Sequence, residues 1–255
     1  MKKSIIWLFF FILFIGPKSF GQNMIVRPWG VTQGTYDPAK GYDDNSSSKN
    51  AYNEARAKLG KLWEERKLTF DDIDGTIYSN ETFTQGTLYE DGKPIKELYA
   101  RYDAYNDEIE LKETLESSEV LSMAKDSKYS YVLNGEEYYY LGYKDENGET
   151  KEGYLTPLVS GNYTLYVKRM KVFKEGKEAR NSFEKSFPHR FLDKIEYYAS
   201  SNGEAPVFMK TKKSDVIAMF SEKDKSTIKQ YIKERKINVS DDHDLVTLFT
   251  YANAL

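Results

Sequence analysis

The chain has 255 residues, of which 40% are hydrophobic and 15% aromatic, including 21 Tyr and 14 Phe. This composition excludes a disordered chain, and it is enough to bury a core in one large domain or in one domain with an appendage. The sequence contains no cysteine, which excludes disulfide bonds and thiol nucleophiles. The formal net charge of −3 gives no electrostatic basis for binding nucleic acid.

Residues 1–21 have the features of a secretory signal peptide. Lys2 and Lys3 form a charged start, residues 5–15 are an uninterrupted apolar run, and small residues occupy the −3 and −1 positions of a cleavage site that ends at Gly21. A membrane-spanning helix needs about 20 apolar residues, so this run is too short to act as one. The region also lacks the cysteine that a lipoprotein anchor requires. We therefore expect a secreted or periplasmic protein that is soluble, without a membrane span after signal removal.

Residues 22–48 are polar and rich in Gly, Pro and Ser, which predicts an extended or disordered leader. A helix is expected over residues 49–67, with Ser48 as its N-cap. Apolar side chains recur within it at helical spacing, at Tyr52, Ala55, Leu59 and Leu62. Such a stripe is typical of a helix that lies across a sheet or closes its end.

From residue 76 to residue 209 the apolar pattern has a period of two, which indicates β-strands. Runs rich in Tyr, Val and Leu are separated by dipeptides that favour tight hairpin turns. These dipeptides are Asp91-Gly92, Asn134-Gly135, Asn147-Gly148 and Asn202-Gly203. Pro188 predicts a loop over residues 178–192, and a last hairpin is expected from residues 194–199 and 206–209.

The alternation changes face within the run 163–172. Its apolar residues occupy odd positions up to Val167 and even positions from Met170 onward. A shift of one residue turns every side chain to the other face of a sheet, so we predict a β-bulge near Lys168-Arg169.

The last part of the chain predicts three short helices, each with one apolar face. The expected first residues are Ser214 as an N-cap, Ser221 or Lys223 at the start of the second helix, and Ser240 as the N-cap of the third. The apolar stripe of the third helix consists of Leu245, Leu248, Phe249 and Ala252. Helices of this length form stable structure only when their apolar faces pack on one another or on the sheet.

Strands followed by helices predict an α+β fold class that is mainly antiparallel β. We expect about ten strands in a twisted sheet, a sandwich or a partly open barrel, with one N-terminal helix and a small C-terminal helical cluster. The expected organisation is a signal peptide (1–21), a leader (22–48), a helix plus β domain (49–209) and a helical subdomain (210–255) packed on it.

The sequence contains no signature of a nucleophilic hydrolase, a zinc protease or a phosphate-binding loop. We therefore predict no catalytic residue, no cofactor and no metal. His243 lies within the acidic run 241–244, whose carboxylates are better explained as favourable charges at a helix N-terminus than as metal ligands. The stretch 71–75 is similar to a calcium loop but lacks its first and closing acidic ligands.

One predicted hairpin combines tyrosine and carboxylate side chains within six residues. We predict Tyr102, Tyr105 and Asp107 as ligand-binding residues, because exposed tyrosines can stack on sugar rings or other ligands. Tyrosine is also a frequent strand residue on half-buried surfaces, so a purely structural role stays open.

These features favour an exported, non-catalytic binding, scaffold or envelope-associated component, with an envelope protein or a glycan as its partner. The alternative is a carbohydrate-active or other hydrolase that uses a carboxylate pair, which the 40 Asp and Glu residues leave open. An enzyme would place two acids with separated pKa values in one cavity, whereas a binding module would present an aromatic, apolar patch on the sheet. A subunit of an envelope complex would carry its patch on the C-terminal helices.

Three stretches are similar to one family of proteins. RYDAYNDEIELK (101–112), GYLTPLVSGNYTLYVKR (153–169) and the C-terminal DLVTLFTYANAL resemble secreted, β-rich hypothetical proteins of Bacteroidota. The likeness extends over most of the chain from about Thr82. It implies a location in the periplasm or outside a Gram-negative cell, and it implies no activity and no functional residues.

Overall fold

The computed structural model of the protein describes residues 31–32, 73–179, 181 and 183–255. The predicted signal peptide, nearly all of the predicted leader and the predicted helix 49–67 lie outside the described residues. Among the helices that are described, none combines the length and the apolar character needed to cross a membrane.

Twelve strands of the described residues belong to one sheet. Their bounds are β1 Val31–Thr32, β2 Ile73–Asp74, β3 Thr84–Glu90, β4 Lys93–Asp103, β5 Glu108–Lys112, β6 Leu121–Met123, β7 Tyr129–Leu133, β8 Glu136–Lys144, β9 Thr150–Val159, β10 Tyr163–Lys174, β11 His189–Ser201 and β12 Val207–Met209. In the same part of the chain, three helices follow the strands: α1 Lys213–Ala218, α2 Glu222–Arg235 and α3 Asp242–Asn253.

The strand order is β1-β6-β5-β4-β3-β7-β8-β12-β11-β10-β9, and β9 also pairs with β8. Strand β8 therefore pairs with both β12 and β9, so that strands β8, β9, β10, β11 and β12 form a closed series of pairings. We call these five strands the ring. Strands β1 and β3–β7 extend from β8 as an open sheet, which we call the meander. All pairings are antiparallel except β2 with β11 and β12 with β8. The mixed, mostly antiparallel sheet with C-terminal helices confirms the predicted α+β fold class.

Tight turns connect the hairpins at the predicted dipeptides. Asn134 and Gly135 have φ values of 55° and 81° and join β7 to β8. Asn202 and Gly203 have φ values of 52° and 77° directly after β11. Asn and Gly adopt this left-handed region more readily than other residues, so these dipeptides determine where the chain reverses.

The predicted bulge near Lys168-Arg169 is wrong. β10 pairs with β11 in one unbroken register along its whole length, and its irregularity lies between Leu165 and Tyr166, on the side of β9. Lys168 is the only buried even-numbered residue of β10, since Met170 is half-buried and Val172 is exposed. The helices cover one face up to Val167, whereas the turn after β4 contacts the opposite face at Lys168.

The predicted loop over residues 178–192 is also too long, because β11 already begins at His189. Pro188 lies just before this strand, where its missing N–H removes no hydrogen bond from the ladder with β10. Pairing with the long strand β10 therefore decides where β11 begins.

Two of the predicted helix caps are wrong. Ser214 lies inside α1, whose N-cap is Lys212. The N-cap of α3 is Asp241 rather than Ser240, and its side chain accepts a hydrogen bond from the Asp244 N–H. A carboxylate caps as well as a hydroxyl does, and its charge also favours the positive end of the helix. Of the two predicted starts of the second helix, Ser221 and Lys223, the structure has Ser221 as the N-cap of α2.

The helices cover one face of β10 and β11 and form a buried core with them. The predicted stripe of α3 is confirmed, since all four of its apolar residues are buried: Leu245, Leu248, Phe249 and Ala252. A second buried cluster belongs mainly to the meander and includes Leu88, Ile109 and Tyr131. A third, smaller cluster contains Tyr143, Leu155 and Tyr198, on the face of β11 opposite to the helices.

Asn253 connects the end of α3 to the start of β10. Its Oδ1 accepts a hydrogen bond from the Tyr163 N–H at 2.8 Å, and its Nδ2 donates to the Tyr163 carbonyl at 2.8 Å. The Tyr163 hydroxyl donates to Asp224 of α2 at 2.7 Å. One residue of the sheet is thus hydrogen-bonded to two helices.

We expect Asn253→Ala to lower the free energy of unfolding by about 1–3 kcal/mol, because two backbone groups lose their partners. Thr250→Ala is the matched control, since Thr250 is exposed on the same helix and alanine is the better helix former. Urea denaturation of both variants measures the difference. Equal stabilities would contradict the role assigned to Asn253.

Candidate functional site

A buried ion pair lies where the meander meets the ring. Lys168 of β10 is 4% exposed, and its Nζ lies 2.6 Å from Oδ2 of Asp107, in the turn between β4 and β5. The same ammonium group donates to the Tyr154 carbonyl of β9 at 3.2 Å. The pair therefore joins a turn of the meander to two strands of the ring.

Asp107 accepts hydrogen bonds from two donors besides Lys168. Its Oδ1 accepts from the Tyr102 hydroxyl at 2.5 Å, and the Tyr154 nitrogen lies 3.3 Å from each carboxylate oxygen. The backbone of Asp107 has a φ of 56°, in the left-handed region that Asp adopts more readily than most residues. A carboxylate that is partly removed from water, as that of Asp107 is, becomes costly unless it is paired and hydrogen-bonded, and these contacts meet both conditions.

Tyr102 is held in place by this carboxylate. Burial raises the pKa of Tyr102 well above its usual value, and the adjacent Asp107 raises it further, so the hydroxyl stays protonated and donates. The ring centroid of Tyr102 lies 5.1 Å from that of Tyr138 and 6.2 Å from that of Tyr154. The ion pair thus determines the position of an aromatic ring in the core of the meander.

Gly153 of β9 allows the chain to pass beside the ion pair. A Cβ at this position would lie 2.3 Å from Oδ2 of Asp107 and 2.7 Å from Nζ of Lys168. Both distances are far below van der Waals contact, so any side chain at Gly153 would displace the pair.

A second ion pair involves Arg101, which lies on the face of β4 opposite to that of Tyr102. Arg101 Nε donates to Glu110 at 2.7 Å, and Arg101 Nη2 donates to the Tyr78 hydroxyl at 2.6 Å. Burial raises the pKa of Glu110, although the charge of Arg101 opposes this shift. These contacts hold the guanidinium group of Arg101 in one orientation.

Asp103 is a buried carboxyl group in the same hairpin. Burial raises the pKa of Asp103 from 3.8 to about 7, and the nearby carboxylates of Glu110 and Glu108 add to this effect. Asp103 is directly opposite Glu108 in the register of β4 and β5. Its Oδ1 accepts the N–H groups of Tyr105 and Asn106, at 3.0 and 2.9 Å, which oppose the shift in part and shape the turn.

A cavity of about 280 Å3 opens beside these groups, between the meander and the ring. Tyr102 and Tyr138 lie on its buried side, and Arg101 and Arg169 contribute to its wall. Arg169 of β10 binds both carboxylate oxygens of Glu136, at 2.9 and 3.1 Å. The arginines of the wall are therefore both engaged in ion pairs. We call this space the junction cavity.

A second cavity, of about 360 Å3, lies beside β11 and β12. It is lined by two carboxylates, Glu146 and Glu196. Each of them pairs with a lysine, Lys210 at 3.0 Å and Lys194 at 2.8 Å respectively. This cavity therefore brings two acids close to one surface, but both are paired with cations.

The two histidines have different surroundings. His189 is buried, and its Nδ1 accepts a hydrogen bond from the Gly176 N–H at 3.0 Å. His243 is exposed, and potential ligand atoms of His243, Asp241 and Asp244 lie within 4.8 Å of one another. The two aspartates already have a structural role, because Asp241 caps the Asp244 N–H at the start of α3.

The structure brings together two of the three predicted ligand-binding residues. Tyr102 lines the junction cavity, and Asp107 holds its hydroxyl group. Tyr105 lies apart from them, with its ring centroid 5.1 Å from that of Phe191. Ligand binding by Tyr102, Tyr105 and Asp107 stays a prediction.

Arg101, Lys168 and Arg169 were missed as parts of the site. No local pattern marks Lys168 as buried, since the apolar residues that follow on its face, Met170 and Val172, are half-buried and exposed respectively. The identity of its partner was not readable, since Asp107 lies 61 positions earlier in the chain.

Comparisons of the chain with protein-family models, with curated proteins and with solved structures found no match. The resemblance to secreted proteins of Bacteroidota therefore stays a prediction.

Lys168→Met should lower the free energy of unfolding by roughly 2–4 kcal/mol, because it leaves the Asp107 carboxylate without its cation. This range is below that of a fully buried pair, since the Asp107 side chain is 24% exposed. In the double variant Lys168→Met/Asp107→Asn most of the loss should disappear, because no unpaired charge remains. Denaturant titration of the parent, both single variants and the double variant gives the coupling energy. Losses that simply add would contradict the pairing.

Proposed function

We propose that the protein is an exported, non-catalytic binding component of the cell envelope, in the periplasm or outside the cell. The observation that carries this proposal is that the buried charged side chains of the sheet pair with one another. Lys168 with Asp107 and Arg101 with Glu110 form ion pairs, at 2.6 and 2.7 Å, between different strands or turns of the sheet. Charges held in this way are costly to separate, and they are poorly placed to exchange protons with a substrate.

The junction cavity supports binding as the role of that scaffold. Ligand sites are concave, largely pre-formed and provided with a few fixed polar groups. Tyr102 and Arg169 reach the cavity in orientations set by Asp107 and Glu136 respectively. Such preorganised side chains bind a ligand without first having to be ordered.

Export is supported by the N-terminal sequence, and the way the domain is stabilised is compatible with it. Residues 1–21 combine a basic start, an apolar run and a small-residue cleavage site. The resemblance to secreted proteins of Bacteroidota agrees with this location. The described domain has two sizeable apolar cores, so it needs no disulfide bond outside the cytoplasm.

One observation favours the alternative, a hydrolase that uses a carboxylate pair. Asp103 and Glu108 face each other in the hairpin, and burial raises the pKa of Asp103 to about 7, as expected for a general acid. Asp103 is only 2% exposed, however, and neither of the two cavities described above is lined by it. Its hydrogen bonds to the turn support a structural role instead.

Asp103→Asn tests whether the Asp103 carboxyl group is protonated in the folded protein, and it also provides a variant for an activity assay. Between pH 3.8 and about 7 the folded protein binds more protons at Asp103 than the unfolded chain does. The free energy of unfolding of the parent therefore falls as the pH rises through this window, and this contribution is absent in the variant. We expect the variant to gain stability relative to the parent with rising pH, by on the order of a few kcal/mol. Thermal denaturation of both proteins across the window measures this difference.

The same pair of proteins tests for catalysis. Neither parent nor Asp103→Asn is expected to hydrolyse a panel of chromogenic aryl glycosides. Turnover by the parent that is lost in the variant would contradict the non-catalytic function and favour the hydrolase.

Cell fractionation tests the location. The full chain, expressed in a Gram-negative host, should be recovered from the periplasm or the medium with Gln22 as its first residue, as mass spectrometry can show. A variant without residues 2–21 should stay in the cytoplasm. Full-length, uncleaved protein in the cytoplasm or the membrane fraction would overturn the proposed export.

A further inference from the structure

Strands β10 and β11 continue beyond the ring as a two-stranded hairpin. They pair with each other as far as Lys174 and Arg190. The pairing of β9 with β10 ends at Val167, and that of β12 with β11 ends at Tyr197. We call residues 168–196 the distal hairpin. We propose that its open face and its loop bind the surface of a membrane that contains anionic phospholipids, an inference that rests on the proposed envelope location and specifies a partner there.

One face of the distal hairpin is covered, and the described residues leave the other face open. On the covered face, Phe191 is buried in an apolar cluster with Ile73 and Ile77. On the open face, Val172 and Leu192 are directly opposite each other in the register, and each is 37% exposed. The open face therefore presents two neighbouring apolar side chains to solvent.

The loop of the distal hairpin adds an aromatic side chain that is almost fully exposed. Phe183 is 97% exposed, more than any other large apolar side chain of the described residues. Val172, Leu192 and Phe183 line neither of the two cavities described above. Because they project from the fold rather than line a depression, they suit a fluid layer into which they can insert. Phe and Leu insert in this way at the boundary between lipid headgroups and acyl chains.

Cations accompany these apolar side chains. Lys174 and Arg190 are directly opposite each other in the register, and like charges in this position destabilise a hairpin. Lys174 Nζ lies 5.5 Å and Arg190 Cζ 4.8 Å from the ring centroid of Phe187. Neither of these cations, nor the exposed Lys185, forms an ion pair with a described residue. Anionic phosphate groups would offset the repulsion between them.

The acidic residues nearby do not cancel this positive charge. The segment 174–190 contains five Lys and Arg and three Glu, in a chain whose net charge is −3. One of these acids, Glu184, is paired with Lys177 at 3.0 Å. Asp74 lies beside Arg190 in the register of β2 and β11 and removes one further positive charge. The end of the distal hairpin therefore keeps a net positive charge in an acidic protein.

An anionic bilayer matches both properties of this surface. Its phosphate groups attract Lys and Arg, and its acyl chains accept apolar side chains just below the headgroups. A second copy of the chain would instead bring the same cations to the contact, and like charges oppose such an association.

The first test uses the absence of cysteine from the chain, which allows one position to be labelled at a time. In the mature chain, Phe183→Cys carries an environment-sensitive fluorophore. Leu115→Cys is the matched control, because Leu115 is also exposed, at 51%, but lies between β5 and β6. Vesicles consist of phosphatidylcholine alone or of phosphatidylcholine and phosphatidylglycerol in equal parts. We expect a blue shift of the label at position 183 with the anionic vesicles only, and none at position 115.

The second test removes charge at two places. Lys174→Gln/Lys185→Gln should weaken sedimentation with the anionic vesicles roughly 25-fold, since each lysine near an anionic surface contributes about fivefold. Lys229→Gln/Lys233→Gln is the matched control, because it removes the same charge from exposed positions of α2. This control should bind like the parent. Added salt should weaken binding of the parent, since it screens exposed charges.

The third test removes the exposed ring. Phe183→Ser should weaken binding to the anionic vesicles by on the order of tenfold, because an inserted apolar side chain is lost. The stability of this variant should equal that of the parent, since Phe183 is 97% exposed in the fold.

Three results would overturn the membrane surface: no binding of the parent to anionic vesicles, equal binding to both kinds of vesicle, or equal losses in the two lysine variants. Dimerisation of the mature chain that Val172→Ser/Leu192→Ser abolishes would assign the open face to a second copy and would also overturn it. All of these results leave the proposed export and the non-catalytic function standing, because cell fractionation and the glycoside assay test those separately.

Discussion

The contact between Lys168 and Asp107 joins the two parts of the sheet. Asp107 lies in the turn that ends β4 in the meander, and Lys168 lies in the middle of β10 in the ring. Strand β9 passes beside this pair, where the Tyr154 N–H donates to the carboxylate and the Tyr154 carbonyl accepts from the ammonium group. A charge pair in a largely dry environment is tolerated only when such partners are complete. This requirement restricts how the meander can sit against the ring.

The arrangement of the candidate site follows from this contact. The carboxylate that pairs with Lys168 also accepts the Tyr102 hydroxyl group, and the Tyr102 ring lines the junction cavity. One residue beyond Lys168, Arg169 points to the opposite face of β10 and pairs with Glu136 at the start of β8. Lys168, which pairs with Asp107, and Arg169, which lines the cavity, therefore lie on opposite faces of the same strand. A binding role for the cavity depends on the ion pair that holds its wall.

Local signals in the sequence predicted the parts of the fold that local physics determines. The turn dipeptides, the strand alternation and the apolar stripe of α3 each depend on residues close in the chain, and the structure agrees with them. The bulge near Lys168-Arg169 was predicted wrongly, because the apolar residues Met170 and Val172, which suggested a change of face, are half-buried and exposed respectively. The burial of Lys168 depends instead on its distant partner, Asp107. The junction cavity combines residues of three separate segments, so its lining was not readable from any single stretch.

The central claim is that β9 passes so close to the ion pair that only glycine fits there. The direct measurement is the free energy of unfolding of Gly153→Ala compared with that of Gly142→Ala. A Cβ at Gly142 would meet only the Lys151 carbonyl, at 3.9 Å, which is ordinary contact. The account predicts a loss of about 2–4 kcal/mol for Gly153→Ala and almost none for Gly142→Ala. Equal stability of the two variants would contradict it.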